Sequence, residues 1–212
     1  MKITVIGATG MVGSRVTDEA ARRGHTVTAV SRRLAAPRSF PETVDPVAAD
    51  VTDPDTLRPL LAAADAAVLT IRPAPGSEAT LAPATTGVLD VAAATGTRLL
   101  VVGGAGPLRS PDRPDLLVAD NPVYVPAEWR RIAAASTEQL RACERHPGAK
   151  WTFLSPPAIL EPGERTGTYR SGTDTLLVGP DGRSRISAED LAIGVLDELE
   201  APSGRRHLTV AH

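Results

Sequence analysis

A glycine-rich run near the start of the chain is the feature that most limits its possible folds. The run Gly7-Ala8-Thr9-Gly10-Met11-Val12-Gly13 follows the β-branched segment Lys2–Ile6, which is typical of a buried strand. Apolar residues then recur at helical spacing from residue 11 to residue 21. In such a strand–turn–helix unit, Gly7 permits a tight turn, Gly10 leaves the backbone open to a pyrophosphate, and Gly13 permits close packing of helix on strand. The motif therefore predicts a dinucleotide site, and a glycine turn without a ligand is the alternative.

The remainder of the 212 residues alternates between strand and helix patterns. Further strands are predicted at 25–30, 44–49, 66–71, 98–102, 151–154, 175–178 and 207–210, and further helices at 53–64, 78–94, 127–145 and 187–199. This alternation predicts an α/β, Rossmann-like fold with a doubly wound parallel sheet of about six or seven strands. We expect one domain, residues 1–212, with a small C-terminal extension on the substrate side. Segments 107–126 and 156–185 are irregular, and we expect them to border the substrate.

Composition excludes several classes of function. The net charge is −2 and no basic tail is present, so we expect no nucleic-acid partner. The single cysteine, Cys143, excludes an internal disulfide and a cysteine metal cluster, and no histidine cluster suggests a metal site. No apolar stretch reaches membrane-spanning length, so we expect no membrane partner and a cytoplasmic protein, either a monomer or a homodimer.

The residues that follow the second predicted strand bear on the choice of cofactor. An NAD site has an acidic residue there for the ribose hydroxyls, whereas this chain has Ser31-Arg32-Arg33. A guanidinium at that point pairs with the 2′-phosphate of NADP, so the sequence favours NADP, with NAD possible and two solvated arginines as the alternative. Asp50 and Val51 follow the third predicted strand, where we expect them beside the adenine.

With these residues in view, the chain resembles the atypical short-chain dehydrogenase/reductases of the NAD(P)H-binding family, which include biliverdin-IXβ/flavin reductase and proposed NADH-flavin reductases. The resemblance covers nearly the whole chain, and it rests on the glycine turn and on Val30-Ser31-Arg32, Val101-Val102-Gly103-Gly104-Ala105-Gly106, Trp151-Thr152-Phe153-Leu154-Ser155-Pro156-Pro157 and Arg185-Ile186-Ser187-Ala188-Glu189-Asp190-Leu191-Ala192. It implies a cofactor site made of Gly7, Thr9, Gly10, Met11 and Val12 at the pyrophosphate, Arg32 at the 2′-phosphate, Ile71 and Arg72 near the nicotinamide ribose, Gly103 and Gly104 after the fifth strand, and Pro156 at the nicotinamide.

The chain departs from this superfamily at the catalytic residues. The usual tyrosine is followed four residues later by a lysine, but Tyr124 is followed at that spacing by Glu128, and Tyr169 by Thr173. The four histidines fall at positions typical of structural or surface residues. The catalytic residues are therefore unknown, and Tyr124, Ser155 and Tyr169 are only weak candidates.

A site without a strong acid or base suits one reaction class best. Hydride transfer to a flavin-, quinone- or tetrapyrrole-like acceptor asks little of the protein, because the conjugated acceptor delocalises the added charge. The sequence thus predicts an NADPH-dependent oxidoreductase that acts on a small conjugated acceptor. A non-catalytic dinucleotide-binding redox sensor, and an epimerase, isomerase or dehydratase, are the alternatives.

Overall fold

The computed structural model describes residues 1–33 and 41–212, and it confirms an α/β, Rossmann-like fold. The strands of the described chain are β1 (Lys2–Ile6), β2 (Thr26–Ser31), β3 (Val44–Ala48), β4 (Ala66–Leu69), β5 (Arg98–Val102), β6 (Trp151–Ser155), β7 (Ile159–Glu161), β8 (Arg170–Gly172), β9 (Arg185–Ser187) and β10 (His207–Ala211). The helices are α1 (Met11–Arg22), α2 (Pro54–Ala62), α3 (Leu81–Thr95), α4 (Arg130–Arg145) and α5 (Ala188–Glu200).

In the main sheet, β1 lies where the order of strands reverses: β2 and β3 follow on one side of it, and β4, β5 and β6 on the other. The order of the whole sheet is β3-β2-β1-β4-β5-β6-β10-β8, and every pair is parallel except β10 with β8. Ile6, the last residue of β1, has Val30 opposite it on one side and Leu69 on the other. In open α/β sheets a ligand binds in the crevice at the carboxyl ends of the strands beside such a reversal. The topology therefore puts the glycine turn at the expected binding edge.

Alternating side chains of the strands build a core on each face of the sheet. Val5 of β1 and Val68 of β4 pack on the side covered by α1 and α5. Their neighbours Ile6 and Leu69 pack on the other side, which α2, α3 and α4 cover. Adjacent residues of a strand point to opposite faces, so near-continuous apolar runs are what a doubly covered sheet requires.

Local signals in the sequence account for several element ends. Asp53 caps α2, since its Oδ1 accepts from the amides of Asp55 at 3.1 Å and Thr56 at 3.3 Å. Gly96 ends α3 with a φ of +74°, in the left-handed region that glycine tolerates best. The residue types at these two positions predict both the start of α2 and the end of α3.

The structure corrects the strand assignment in the C-terminal third. The strand predicted at 175–178 is wrong: Thr175 makes only an isolated bridge to Arg109. Leu176 is instead buried against Leu108, within a third apolar cluster. The strand that joins the sheet from this region is β8, so the main sheet has eight strands rather than six or seven, and β7 and β9 pair separately.

Within residues 1–33 and 41–212, no helix is both long enough and apolar enough to cross a lipid bilayer.

Candidate functional site

Two of the three glycines in the turn are required by the packing of the protein itself. Gly7 has a φ of +90°, and a Cβ there would lie 2.7 Å from the carbonyl oxygen of Thr70. A Cβ on Gly13 would lie 2.1 Å from the carbonyl oxygen of Gly7. Strand β1, the turn and helix α1 therefore approach too closely for any side chain at these two positions.

Gly10 differs, because it is exposed and less crowded than the other two glycines. A Cβ there would meet only the Gly7 oxygen, at 3.2 Å, and the Thr70 oxygen, at 4.0 Å. Gly10 is exposed and is the N-cap of α1, but it offers no capping side chain, and the first turn of α1 contains no acidic residue. The first-turn amides of a helix lack partners within the helix, and they attract an anion. The open surface at Gly10 and the uncapped amides fit the diphosphate of a dinucleotide.

The residues predicted to choose between NAD and NADP meet at one corner of the sheet. Ser31 ends β2, and its Oγ donates to the carbonyl oxygen of Arg33 at 2.7 Å, while the side chains of Arg32 and Arg33 are exposed. Asp50 follows the neighbouring strand β3. Hydrogen bonds from Thr52, with a smaller contribution from the charge of Arg32, lower the pKa of Asp50. Arg32 and Asp50 thus face the same region, and Val51 beside them packs on the core.

The end of β4 joins the glycine turn to a second surface. Thr70 Oγ1 donates to the carbonyl oxygens of Ile6 at 3.1 Å and Gly7 at 3.3 Å, which fixes the start of the loop against the turn. Ile71 is half-buried and packs on the core. The guanidinium carbon of Arg72 lies 5.3 Å from the ring centre of Trp129, just before α4.

The loop after β5 is held by close contacts that explain its glycines. A Cβ on Gly103 would lie 2.1 Å from the ring of Phe153, and the amide of Gly104 donates to Ser136 Oγ at 2.7 Å. Ser136 therefore anchors this loop to α4. Sequence reasoning missed Ser136, because nothing in its local pattern distinguishes it from the other small residues of α4.

Ser155, a predicted catalytic candidate, is fully buried at the end of β6. Its Oγ lies 2.9 Å from Nε2 of His207, and Pro156 beside it is also buried. Burial lowers the pKa of His207, and the charge of Asp174 acts in the opposite sense. The pairing of β10 with β6 brings this serine and histidine together, which their separation in the sequence concealed.

The two tyrosines lie in different places. Tyr124 packs beside the third apolar cluster. Burial, together with the charge and hydrogen bond of Asp112, raises the pKa of its hydroxyl. The hydroxyl of Tyr169 donates a hydrogen bond to Asp197, which also pairs with Arg23 at 2.8 Å. Arg23 follows the end of α1 that is opposite the glycine turn, so the structure does not bring Tyr169 to the candidate site.

Hydrogen bonds and ion pairs hold the segment after β7 in place, and no local sequence pattern predicts these contacts. Buried Asp190 accepts hydrogen bonds from the amide of Gly167 at 2.9 Å, from the Thr166 hydroxyl at 2.6 Å and from His212 at 2.8 Å. Arg165 reaches across to Glu19 of α1 at 2.9 Å. These contacts hold residues 163–167 against α1 and α5.

The titratable side chains were also compared with the requirements of a metal site. Within residues 1–33 and 41–212 no group of three or more histidine, cysteine, aspartate or glutamate side chains could hold a metal ion.

Comparison with known proteins agrees with this geometry. A family model described as NAD(P)H-binding matches residues 7–202. The uncharacterized protein YwnB of Bacillus subtilis is 38% identical over 206 residues, which cover 95% of this chain and 93% of YwnB. A proposed epimerase from Bacteroides thetaiotaomicron is 34% identical with a TM-score of 0.90, covering 100% of this chain and 96% of the other. A proposed NADH-flavin reductase, SP1627 of Streptococcus pneumoniae, is 29% identical with a TM-score of 0.89, covering 100% and 99%.

Proposed function

The chain belongs to the NAD(P)H-binding family, and on that premise we propose that it is an NADPH-dependent oxidoreductase that reduces a flavin-, quinone- or tetrapyrrole-like acceptor. The observation that carries the proposal is the turn at exposed Gly10, where the first-turn amides of α1 have no side-chain cap and lie beside the reversal of strand order. The structural relative SP1627 is itself a proposed NADH-flavin reductase, which supports the same reaction class. We also propose a cytoplasmic location and a monomer or homodimer.

Each part of the proposed site has a binding task. The amides at the start of α1 hold the diphosphate, and Arg32, assisted by Ser31 and Arg33, pairs with the 2′-phosphate. When bound, NADPH supplies a hydride at its nicotinamide ring. Segments 107–126 and 156–185 border the acceptor.

Exposed apolar side chains support an acceptor with a planar, apolar ring system. Among the described residues, the exposed large hydrophobic side chains other than Met1 are Met11, Val123, Trp129 and Ile159. Each of the four belongs to a segment that follows the carboxyl end of a strand, at β1, β5 or β6. Large apolar groups at a binding edge are typical of a site for a conjugated ring.

The proton-transfer groups near this edge are poor acids, which favours an acceptor that needs none. The hydroxyl of Tyr124 holds its proton more tightly than usual, and the hydroxyl of Ser155 is engaged by His207. Reduction of an isolated ketone requires a donor at the carbonyl oxygen, whereas a conjugated acceptor accommodates the charge and takes its proton from solvent.

The proposal is tested by adding a cofactor and then an acceptor. Protein fluorescence is titrated with NADPH and NADH, and NADPH oxidation is then followed with riboflavin, FMN, menadione and dichlorophenolindophenol. We expect tighter binding of NADPH than NADH, and turnover with at least one acceptor. Gly10→Val should abolish both binding and turnover, since the new side chain occupies the approach to the amides. Gly148→Val, the same change at an exposed loop beyond α4, is the control.

A non-catalytic redox sensor is the second candidate, because Tyr169 and Ser155, two of the three weak catalytic candidates, are occupied by Asp197 and His207. Binding of NADPH without oxidation by any acceptor of the panel would favour the sensor and overturn the oxidoreductase. An epimerase or dehydratase requires a base beside the nicotinamide, and the bond of Tyr169 to Asp197 disfavours it. Failure of both cofactors to bind would overturn all three.

A further inference from the structure

An exposed arginine and an exposed tryptophan form a second recognition surface beside the glycine turn. Thr70 contacts the turn directly, and Arg72 follows two residues later, so its backbone lies within roughly 7 Å of Thr70. Its guanidinium lies over the ring of Trp129 at 5.3 Å. Trp129 is nevertheless 51% exposed, which leaves indole surface available to a ligand.

The arginine is held in place but its charge is not neutralised. In the described part of the chain no carboxylate forms an ion pair with Arg72, and its partner is the neutral indole ring. A guanidinium held over an aromatic ring by a cation–π contact makes no hydrogen bond to that ring, so its N–H groups can still bind a phosphate or carboxylate.

The charges around Trp129 leave a positive excess. Arg131 pairs with Glu78 at 3.6 Å and contributes no net charge. The remaining charged residues are Arg72 and Arg130, which are positive, and Glu128, which is negative, so the net charge is +1. An exposed aromatic surface with an unpaired guanidinium over it suits a ligand that combines a flat ring system with an acidic group.

We propose that Arg72 and Trp129 select acceptors that carry an anionic group beside a planar conjugated ring, with the ring stacked on the indole and the anion bound by the guanidinium. This inference rests on the proposed function and narrows its acceptor class. Arg72 is then a specificity residue for the acceptor, in addition to any contact with the nicotinamide ribose. A neutral acceptor of the same ring system gains only the stacking contact.

The pair FMN and riboflavin separates the two contacts, because they share one ring system and differ by a phosphate. Quenching of tryptophan fluorescence measures the binding of each to the protein without cofactor, and NADPH oxidation gives the ratio of their kcat/KM values. We expect FMN to be favored about fivefold in both measurements, the size typical of an exposed charge pair. Raising the salt from about 0.05 M to about 0.5 M should reduce that preference.

Substitutions then assign the preference to its residues. Arg72→Gln should bring the FMN-to-riboflavin ratio close to one, and Arg72→Lys should give an intermediate ratio, since lysine keeps the charge without the planar stack. Trp129→Leu should weaken the binding of both flavins, and because this variant lacks the tryptophan at the site, its binding is followed by the fluorescence of the flavins themselves. Arg141→Gln, an exposed arginine paired with Glu138 on α4 and outside both segments that border the acceptor, is the control and should keep the wild-type ratio.

The ratio keeps failure of this inference distinct from failure of the proposed function. If Arg72→Gln affects only the binding of the cofactor, it changes the rates with FMN and riboflavin by the same factor, and their ratio stays the same. Equal binding of FMN and riboflavin by the wild type, or a ratio unchanged by Arg72→Gln, overturns the inference while flavin or quinone turnover leaves the function intact. An Arg72-dependent preference in binding without any NADPH oxidation overturns the function and supports the anion site.

Discussion

Replacing Glu19 by glutamine should cost about 3 kcal/mol of unfolding free energy at neutral pH. The carboxylate is 3% exposed and pairs with Arg165 at 2.9 Å and Arg23 at 3.0 Å, and also with Arg22. These partners, the hydrogen bond from Arg165 first, outweigh the effect of burial and lower the pKa of Glu19 from 4.5 to about 2. A shift of that size corresponds to about 3 kcal/mol of stability that glutamine, which carries no charge, cannot supply.

The same shift fixes how the effect of Glu19→Gln depends on pH. Because the folded-state pKa is the lower one, the contribution is fully present above the unfolded pKa near 4.5 and disappears as the pH falls toward 2. At pH 3.5 about 2 kcal/mol of it remains. Urea denaturation of wild type and variant at pH 7 and at pH 3.5 measures both values, provided that the m-values agree.

A matched control uses an acid–base pair of the same type at the surface. Glu138 pairs with Arg141 one turn along α4 and is 49% exposed, so Glu138→Gln should change the unfolding free energy by less than about 0.5 kcal/mol at either pH. The reasoning is refuted if Glu19→Gln loses less than about 1 kcal/mol at pH 7, or if its loss is the same at both pH values.

Two further predictions concern packing. Gly13→Ala should destabilise the fold by more than about 2 kcal/mol in thermal denaturation, because its Cβ would lie 2.1 Å from the Gly7 oxygen. Gly87→Ala is the control in α3: its Cβ would have no neighbour within 4 Å, so the change should stabilise the fold by about 0.5–1 kcal/mol. Equal effects of the two substitutions would contradict this account. Burial raises the pKa of Cys143 to about 12, so a thiol reagent at pH 8 should label it only after denaturant unfolds the chain, and rapid labelling of the folded protein would refute its burial.

The binding edge was predictable because its determinants are local. The glycine spacing, the strand before it and the helix after it lie within a single unit. The sequence therefore predicts a tight turn at Gly7, which has a φ of +90°, and close packing at Gly13, where a Cβ would lie 2.1 Å from the Gly7 oxygen. The cap at Asp53 and the left-handed Gly96 are equally local. Residue type and spacing suffice wherever one short segment contains both partners of a contact.

The remainder of the site depends on contacts between distant segments. Ser155 meets His207 only because β10 lies beside β6, and Thr166 meets Asp190 only because residues 163–167 fold back onto α5. The three-residue strands β7 and β9 are too short to show an alternating pattern, so the segment that contains β7 was interpreted as irregular. Single-sequence patterns contain no information on such pairings.

Three side-chain hydroxyl groups that could take part in catalysis already form hydrogen bonds within the protein. The hydroxyl of Ser136 holds the loop at Gly104, that of Ser155 contacts His207, and that of Tyr169 is bound to Asp197. Ser136 thus positions backbone, whereas Ser155 and Tyr169 are each held by another side chain. At the proposed binding edge, the first-turn amides of α1 and the guanidinium of Arg72 have no side-chain hydrogen-bond partner among the described residues, and groups of this kind can bind an anion without changing their own protonation. Under the proposed function, these groups would supply orientation and charge, and the reactivity would come from the cofactor and the acceptor.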